Sequence, residues 1–184
     1  MASVIAHALL GGTSGWALSR RLLSRAAVVA GAVCAALPDL DSIGFRYGVS
    51  YGDWLGHRGF FHGMAFALLV GGAATAVSGA LPRFKGSRAA LFVFITACTA
   101  SHGLLDAMTD GGLGVAFFSP FSNERYFLPW RPIVVSPLDP RRLVSGWGLQ
   151  VLLSEALWVG VPVLLIVLSR LAVQHARRPS TPGA

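Results

Sequence analysis

Charged residues are scarce in this chain. Only 12% of its 184 residues are Asp, Glu, Lys or Arg, against about 25% in a typical soluble domain. That is too few to cover a water-facing surface of this size, which argues against a soluble enzyme. With 54% hydrophobic residues and a mean hydropathy of +0.62, the chain reads as an integral membrane protein. Cysteine is nearly absent: Cys34 and Cys98 each lie in an apolar stretch with no CxxC spacing. This excludes a zinc knuckle and a disulfide framework, and both residues read as small packing groups. No basic residue precedes the first apolar segment; the first is Arg20, so a cleaved leader is not expected. Ser19-Arg20-Arg21-Leu22-Leu23 faintly resembles a twin-arginine export signal, but it sits in a tight turn between two apolar stretches. Internal repeats are also lacking.

What is present is a series of apolar segments. A spanning helix needs about 20 mostly apolar residues, and Phe60 to Leu81, Ala89 to Leu105 and Gly146 to Leu171 meet this. The last contains Glu155 and Pro162, tolerated where neighbouring helices supply partners. Val4 to Leu18 and Leu22 to Leu37 are shorter and read either as tilted spans or as a re-entrant hairpin. The expected architecture is an all-α, polytopic transmembrane bundle of four to five membrane segments. It forms one domain over residues 1–176 with a long outer-face loop, followed by a flexible basic, proline-rich tail over 177–184.

Five crossings place the connecting segments alternately on two sides. One side holds Arg20, Arg21, Arg25, Arg83, Lys85, Arg88, Arg170, Arg177 and Arg178 and no acid. The other holds Arg46, Arg58, Arg125, Arg131, Arg141 and Arg142 against Asp39, Asp41, Asp53, Asp106, Asp110, Asp139 and Glu124. Since cytoplasmic loops carry the Lys/Arg excess, the first side is expected in the cytoplasm with the C-terminus, and the second in the periplasm or exterior. The net charge of +7 is thus read as topology, and no nucleic-acid partner is expected.

Four of the five histidines fall on the acidic side. His7 lies near the start of the first segment, and Leu37-Pro38-Asp39-Leu40-Asp41 closes the second, where Pro38 can stop a helix. His57-Arg58-Gly59-Phe60-Phe61-His62 opens the third, and His102 to Asp106 closes the fourth with an i,i+4 spacing that stacks both side chains on one helical face. Imidazoles and carboxylates without thiolate suit zinc foremost, or manganese or iron, in one or two ions. A cation would also offset the cost of placing carboxylates beside hydrocarbon. Other readings stay open: Asp39 and Asp41 as a helix terminus or partners of Arg46 or Arg58, and each histidine as packing or capping. If every group were satisfied separately, His7 and His102 would lie more than about 10 Å apart, beyond the range of direct coupling. His175, in the basic tail region, reads as solvated.

The loop from Asp106 to Ser145 is long for a compact membrane protein, and long loops are often functional. Its Arg125 and Arg131 are candidate phosphate-binding residues, or interfacial anchors among the Trp and Tyr residues. Asp110 is a further candidate ligand, or the cap of a glycine-rich turn.

His7, LPDLD (Leu37 to Asp41), HRGFFHG (His57 to Gly63), HGLLDAMTDGG (His102 to Gly112) and SPFSNER (Ser119 to Arg125) together resemble the YdjM-like family of inner-membrane proteins, described as membrane-bound metal-dependent hydrolases. More distantly, the order His, Asp, His, HxxxD is similar to the zinc-dependent phospholipase C and nuclease superfamily. The resemblance implies that His7, Asp39, His57 or His62, His102 and Asp106 are metal ligands. The superfamily's later His and HxxxE ligands have no counterpart, since no histidine lies four residues before Glu155, so one or two ions are expected rather than three.

These readings converge on a hydrolase at the outer face. Asp39 or Asp41 would serve as ligand or general base, Arg58 or Arg125 would stabilise developing charge, and a lipid-like phosphate ester would be the substrate. The alternative is a metal-ion transporter or a partner-binding scaffold, for which Glu155 is the one midspan acid.

Overall fold

A computed structural model describes residues 1–18, 23–81, 84 and 86–176. Arg20-Arg21, two of the basic residues of the loop near residue 83, and the tail from 177 lie outside the described residues. Six α-helices follow one another: α1 Val4–Ala17, α2 Arg25–Ala36, α3 Met64–Ser78, α4 Arg88–Ala107, α5 Gly146–Glu155 and α6 Val161–Ala176. A five-residue π turn, Ala156–Gly160, joins α5 to α6 in one rod, Gly146–Ala176. Among the described residues there is no β-strand, only two isolated bridges.

Serine hydroxyls start several of these helices: Ser3, Ser24, Ser87 and Ser145 accept from the backbone N–H three residues on. Three rods are long and apolar enough to cross a membrane: Arg25–Tyr47, Arg88–Ala107 and Gly146–Ala176. Two of the expected boundaries shift. The segment expected over Phe60–Leu81 is helical only from Met64, because a three-residue 3-10 turn, Phe60–His62, and Gly63 precede α3. α2 ends at Ala36, as the proline implies, but Pro38 does not end helical structure. It sits in the first turn of a 3-10 helix, Leu37–Tyr47, where its missing N–H costs little.

α1 packs on α2, α2 on α4 and α4 on α3, while α6 lies against α1. At the α1–α2 crossing a Cβ on Gly11 would stand 2.8 Å from the Gly31 carbonyl oxygen and from the Ala35 Cβ. Only glycine allows that approach. Phe94 of α4 lies against Gly15 and Gly31, and with Leu23, Ala27, Ala35, Leu91, Ile95 and Cys98 forms one core cluster. Both cysteines are free. Large apolar side chains face outward around the bundle, among them Ile5, Val29, Leu69, Val93 and Leu153. Such a surface is stable against lipid rather than water.

The chain's alternation brings the start of α1, the end of α2, the start of α3 and the end of α4 to one end of the bundle. The long loop after α4 covers that end. Ala116 N–H donates to Arg58 O, Leu128 N–H to Ala107 O, and Met64 N–H to Phe117 O. Val115, Ala116 and Ile133 are buried beneath it.

Candidate metal centre

His102 and Asp106 stand one turn apart on α4, and both are fully buried. The His102 Nδ1–H points at the Ala35 carbonyl, with the two atoms 2.7 Å apart. This bond sets the tautomer and leaves the Nε2 lone pair facing inward. His62 approaches that lone pair from the Phe60–His62 turn, its Nε2 lying 3.0 Å from His102 Nε2. The approach depends on Gly103, where a Cβ would sit 2.6 Å from the His62 carbonyl oxygen.

Asp39 and Asp106 complete the set. Asp39 Oδ1 lies 3.2 Å from His102 Nε2 and 3.8 Å from His62 Nε2, and Asp106 Oδ2 lies 4.0 and 3.5 Å from the same atoms. Zinc–nitrogen bonds of about 2.0–2.1 Å in a tetrahedron put neighbouring donors roughly 3.3 Å apart. The five separations, 3.0 to 4.0 Å, bracket that value, and the four donor atoms lie within 4.8 Å of one another. Among the described residues neither Asp39 oxygen has a hydrogen-bond partner, although both are buried. Unpartnered buried carboxylate oxygens facing two imidazole nitrogens are what a bound cation would satisfy.

Charge points the same way. The three buried carboxylates Asp39, Asp41 and Asp106 face one buried guanidinium, Arg58, and the Met1 amino group lies beside Asp106. With neutral imidazoles the site therefore sums to −1 when that amine is charged and to −2 when it is not. A cation would reduce that excess of negative charge.

Asp41 lies behind His62. Its Oδ1 accepts from His57 Nδ1 at 2.7 Å, and its Oδ2 is 3.1 Å from His62 Nδ1 and accepts from the Arg58 backbone N–H at 3.3 Å. Asp41, His57 and His62 form a second group able to hold an ion, sharing His62 with the first. Burial pushes the His57 imidazole below its ordinary range, against the pull of Asp41, and its Nε2 has no hydrogen-bond partner. His7 stacks on His102 with ring centroids 3.6 Å apart, its Nε2 3.4 Å from Asp106 Oδ1. The separation of more than about 10 Å required for independent sites is not found.

The arginines occupy places that their sequence positions did not show. Arg58 is fully buried at a positive φ of 64°. Its Nε donates to Asp106 Oδ2 at 3.1 Å, and its two terminal nitrogens donate to Gly111 O and Thr109 Oγ1, each at 2.8 Å. It therefore holds Asp106 from behind, with its guanidinium engaged on all three nitrogens. Arg125 donates to the carbonyls of His57, Tyr51 and Asp53 and so ties down the 51–57 loop. Arg131 is exposed, its guanidinium over the Phe127 ring at 4.7 Å. Arg46 is exposed as well, so it does not neutralise Asp39 or Asp41. Asp110 accepts from Val135 N–H at 2.8 Å as a loop cap.

Sequence reasoning missed Thr109, the Ala35 carbonyl and the Ala2 backbone N–H, which donates to Asp106 Oδ1 at 2.7 Å. Thr109 is buried between Arg58 and the Asp106 carbonyl; its position three residues after HxxxD was a usable signal. The Ala35 carbonyl is backbone, and nothing in the sequence marks it. Glu155 is buried and accepts from both the backbone N–H and the hydroxyl of Ser3.

A family model described as YdjM inner membrane protein matches residues 1–179. The chain is also 37% identical over 167 residues to the inner membrane protein YbcI of Escherichia coli (strain K12), covering 91% of this chain and 95% of that protein. No solved structure matches the chain.

Proposed function

Because the chain belongs to the YdjM family of inner membrane proteins, we propose that it is a membrane-embedded, metal-dependent hydrolase. Its substrate on this reading is a phosphate ester or phosphodiester of a lipid-like molecule at the outer membrane face. The observation that carries the reading is the pair of imidazole nitrogens 3.0 Å apart, flanked by the two buried carboxylates Asp39 and Asp106. All five helical rods cross the bilayer in this reading. The described basic residues Arg25, Arg88 and Arg170 then lie at the cytoplasmic end with the C-terminus, and the cluster faces the periplasm.

Asp39, His62, His102 and Asp106 would hold the ion, with His7 and His57 in support. The donor set suits zinc first, then manganese or iron, in one or two ions. A divalent cation there supplies Lewis acidity and a water that ionises near neutral pH. The chain's own residues supply order. Ala35 O fixes the tautomer of His102, Asp41 orients His57 and His62, and Arg58 clamps Asp106 with help from Thr109. With Asp39 Oδ1 on the ion, Asp39 Oδ2, also without a hydrogen bond among the described residues, would accept a proton from the attacking water. Arg125, through the loop it ties down, shapes the approach to His57. Glu155 is committed to Ser3, so it offers no relay of the kind a transporter needs.

The test is elemental analysis of purified protein beside His102→Ala and Asp106→Ala, with hydrolysis of a chromogenic phosphodiester measured on the same samples. The expected result is about one or two divalent ions per chain and measurable turnover, both lost in the variants. Turnover that persists in metal-free protein would overturn the mechanism.

A further inference from the structure

Beside the cluster a groove of about 700 Å³ opens between α1, α2 and the segment around Leu138. Ile5 and Ala8 of α1, Ala32 and Val33 of α2, and Leu138 line it, and Asp39 forms part of its inner wall. Ile5, Val33 and Leu40 at its rim are exposed at 65%, 59% and 58%, so the groove opens sideways onto the face that the bilayer covers.

The size and the inner wall select the occupant. The volume falls within the range of about 300–1,000 Å³ usual for small-ligand sites. The lining is apolar except where Ser3, Ser42, Ser136 and Asp39 contribute to it, the Asp39 oxygens themselves being turned into the cluster. The ligand that matches is apolar along most of its length and polar at the end nearest those residues.

We propose that this groove binds the acyl chain of a phosphate-bearing membrane lipid, which enters laterally from the bilayer and brings its ester group to the Asp39 side of the cluster. The fate of the ester rests on the hydrolase reading above; the seat of the chain rests on the groove alone. Lateral entry also accounts for a reactive cluster closed to bulk water, with His62, His102 and Asp106 all at most 2% exposed.

The experiment uses the purified full chain loaded with zinc and a series of alkyl p-nitrophenyl phosphates of increasing chain length. KM should fall roughly fourfold per added CH₂ until the groove is full, following the transfer energy of a methylene. Val33→Trp and Ile5→Trp, both at exposed rim positions, should flatten that dependence while retaining the wild-type metal content that reports an intact cluster. A chain-length dependence that survives both substitutions would overturn the proposal. A diazirine-bearing alkyl phosphate in lipid nanodiscs separates the two readings. Saturable labelling around Ala8, Ala32 and Leu138 that Val33→Trp abolishes supports the groove even if no ester is cleaved, in which case only the hydrolase reading fails. Uniform labelling of all outward helix faces, unchanged in Val33→Trp, sinks the groove.

Discussion

The Nε2 atoms of His62 and His102 face one another across 3.0 Å, although the residues are 40 positions apart. With the His102 proton held on Nδ1 by the Ala35 carbonyl, two nitrogen lone pairs would repel at that distance unless a proton or a metal ion lies between them. The nearby oxygens of Asp39 and Asp106 make a divalent cation the better fit. Most of the following predictions test how that geometry is maintained.

Asp41 acts on the site through His57 and His62. Asp41→Asn keeps the shape but removes the carboxylate, and should weaken zinc binding about 10- to 100-fold, the usual effect of losing an orienting carboxylate. His102→Ala should instead abolish binding. Competition titration against a zinc-sensing dye measures both, and an Asp41→Asn affinity equal to wild type would show that the carboxylate orients nothing.

Arg58 and Asp106 form a fully buried ion pair. Arg58→Ala leaves Asp106 buried with one partner fewer, and should cost about 3–5 kcal/mol, as breaking such pairs does. Thermal unfolding in detergent reads this as a lowered Tm. Asp106→Asn in the same background should restore part of the loss, since the two sites are directly coupled.

Gly103→Ala puts a Cβ 2.6 Å from the His62 carbonyl oxygen. His62 must then retreat from His102, and zinc affinity should fall at least tenfold, as expected when supporting geometry is lost. Gly72→Ala is the control, because nothing lies within 4 Å of its added Cβ. It should be neutral or stabilising by up to about 1 kcal/mol through helix propensity.

Acid should release the ion. Imidazole binds metal only when unprotonated. Before an ion binds, Asp106, Asp39 and Asp41 hold the His62 imidazole above its ordinary range despite its burial. Protons should therefore already compete for His62 above neutral pH, and affinity should keep falling as the pH drops. His57, held below its ordinary range by burial, stays neutral further into acid and adds little to the decline near pH 6. Zinc titrations at several pH values check this. An affinity independent of pH would mean that the histidines are not ligands.

Much of the fold was legible because lipid imposes a simple rule: apolar runs of sufficient length become helices with their backbone groups satisfied internally. Phe60 to Leu81 was overextended because composition does not reveal that Gly63 interrupts the helix beneath the site. Pro38 was readable as the end of α2, which stops at Ala36, but not as the first turn of a 3-10 helix that carries the chain on to Tyr47. In the site, HxxxD was readable because two residues four apart on a helix must share a face. The arginines were not readable, because a guanidinium reaches far enough that its partner depends on which loops lie nearby. Only the folded chain placed Arg58 on Asp106 and Arg125 on three backbone carbonyls.

By itself the sequence determined membrane residence and the collection of four histidines and three aspartates at one set of segment ends. Those properties are local or additive: hydropathy, charge and helical spacing do not depend on what lies across the bundle. The tertiary structure decided which of those groups meet. It set His62 against His102 through the close approach at Gly103, left Asp39 unpartnered while Asp106 was clamped, and opened a groove between α1 and α2 that ends at Asp39. Each of these depends on contacts between residues far apart in the chain, made where small side chains let backbones approach.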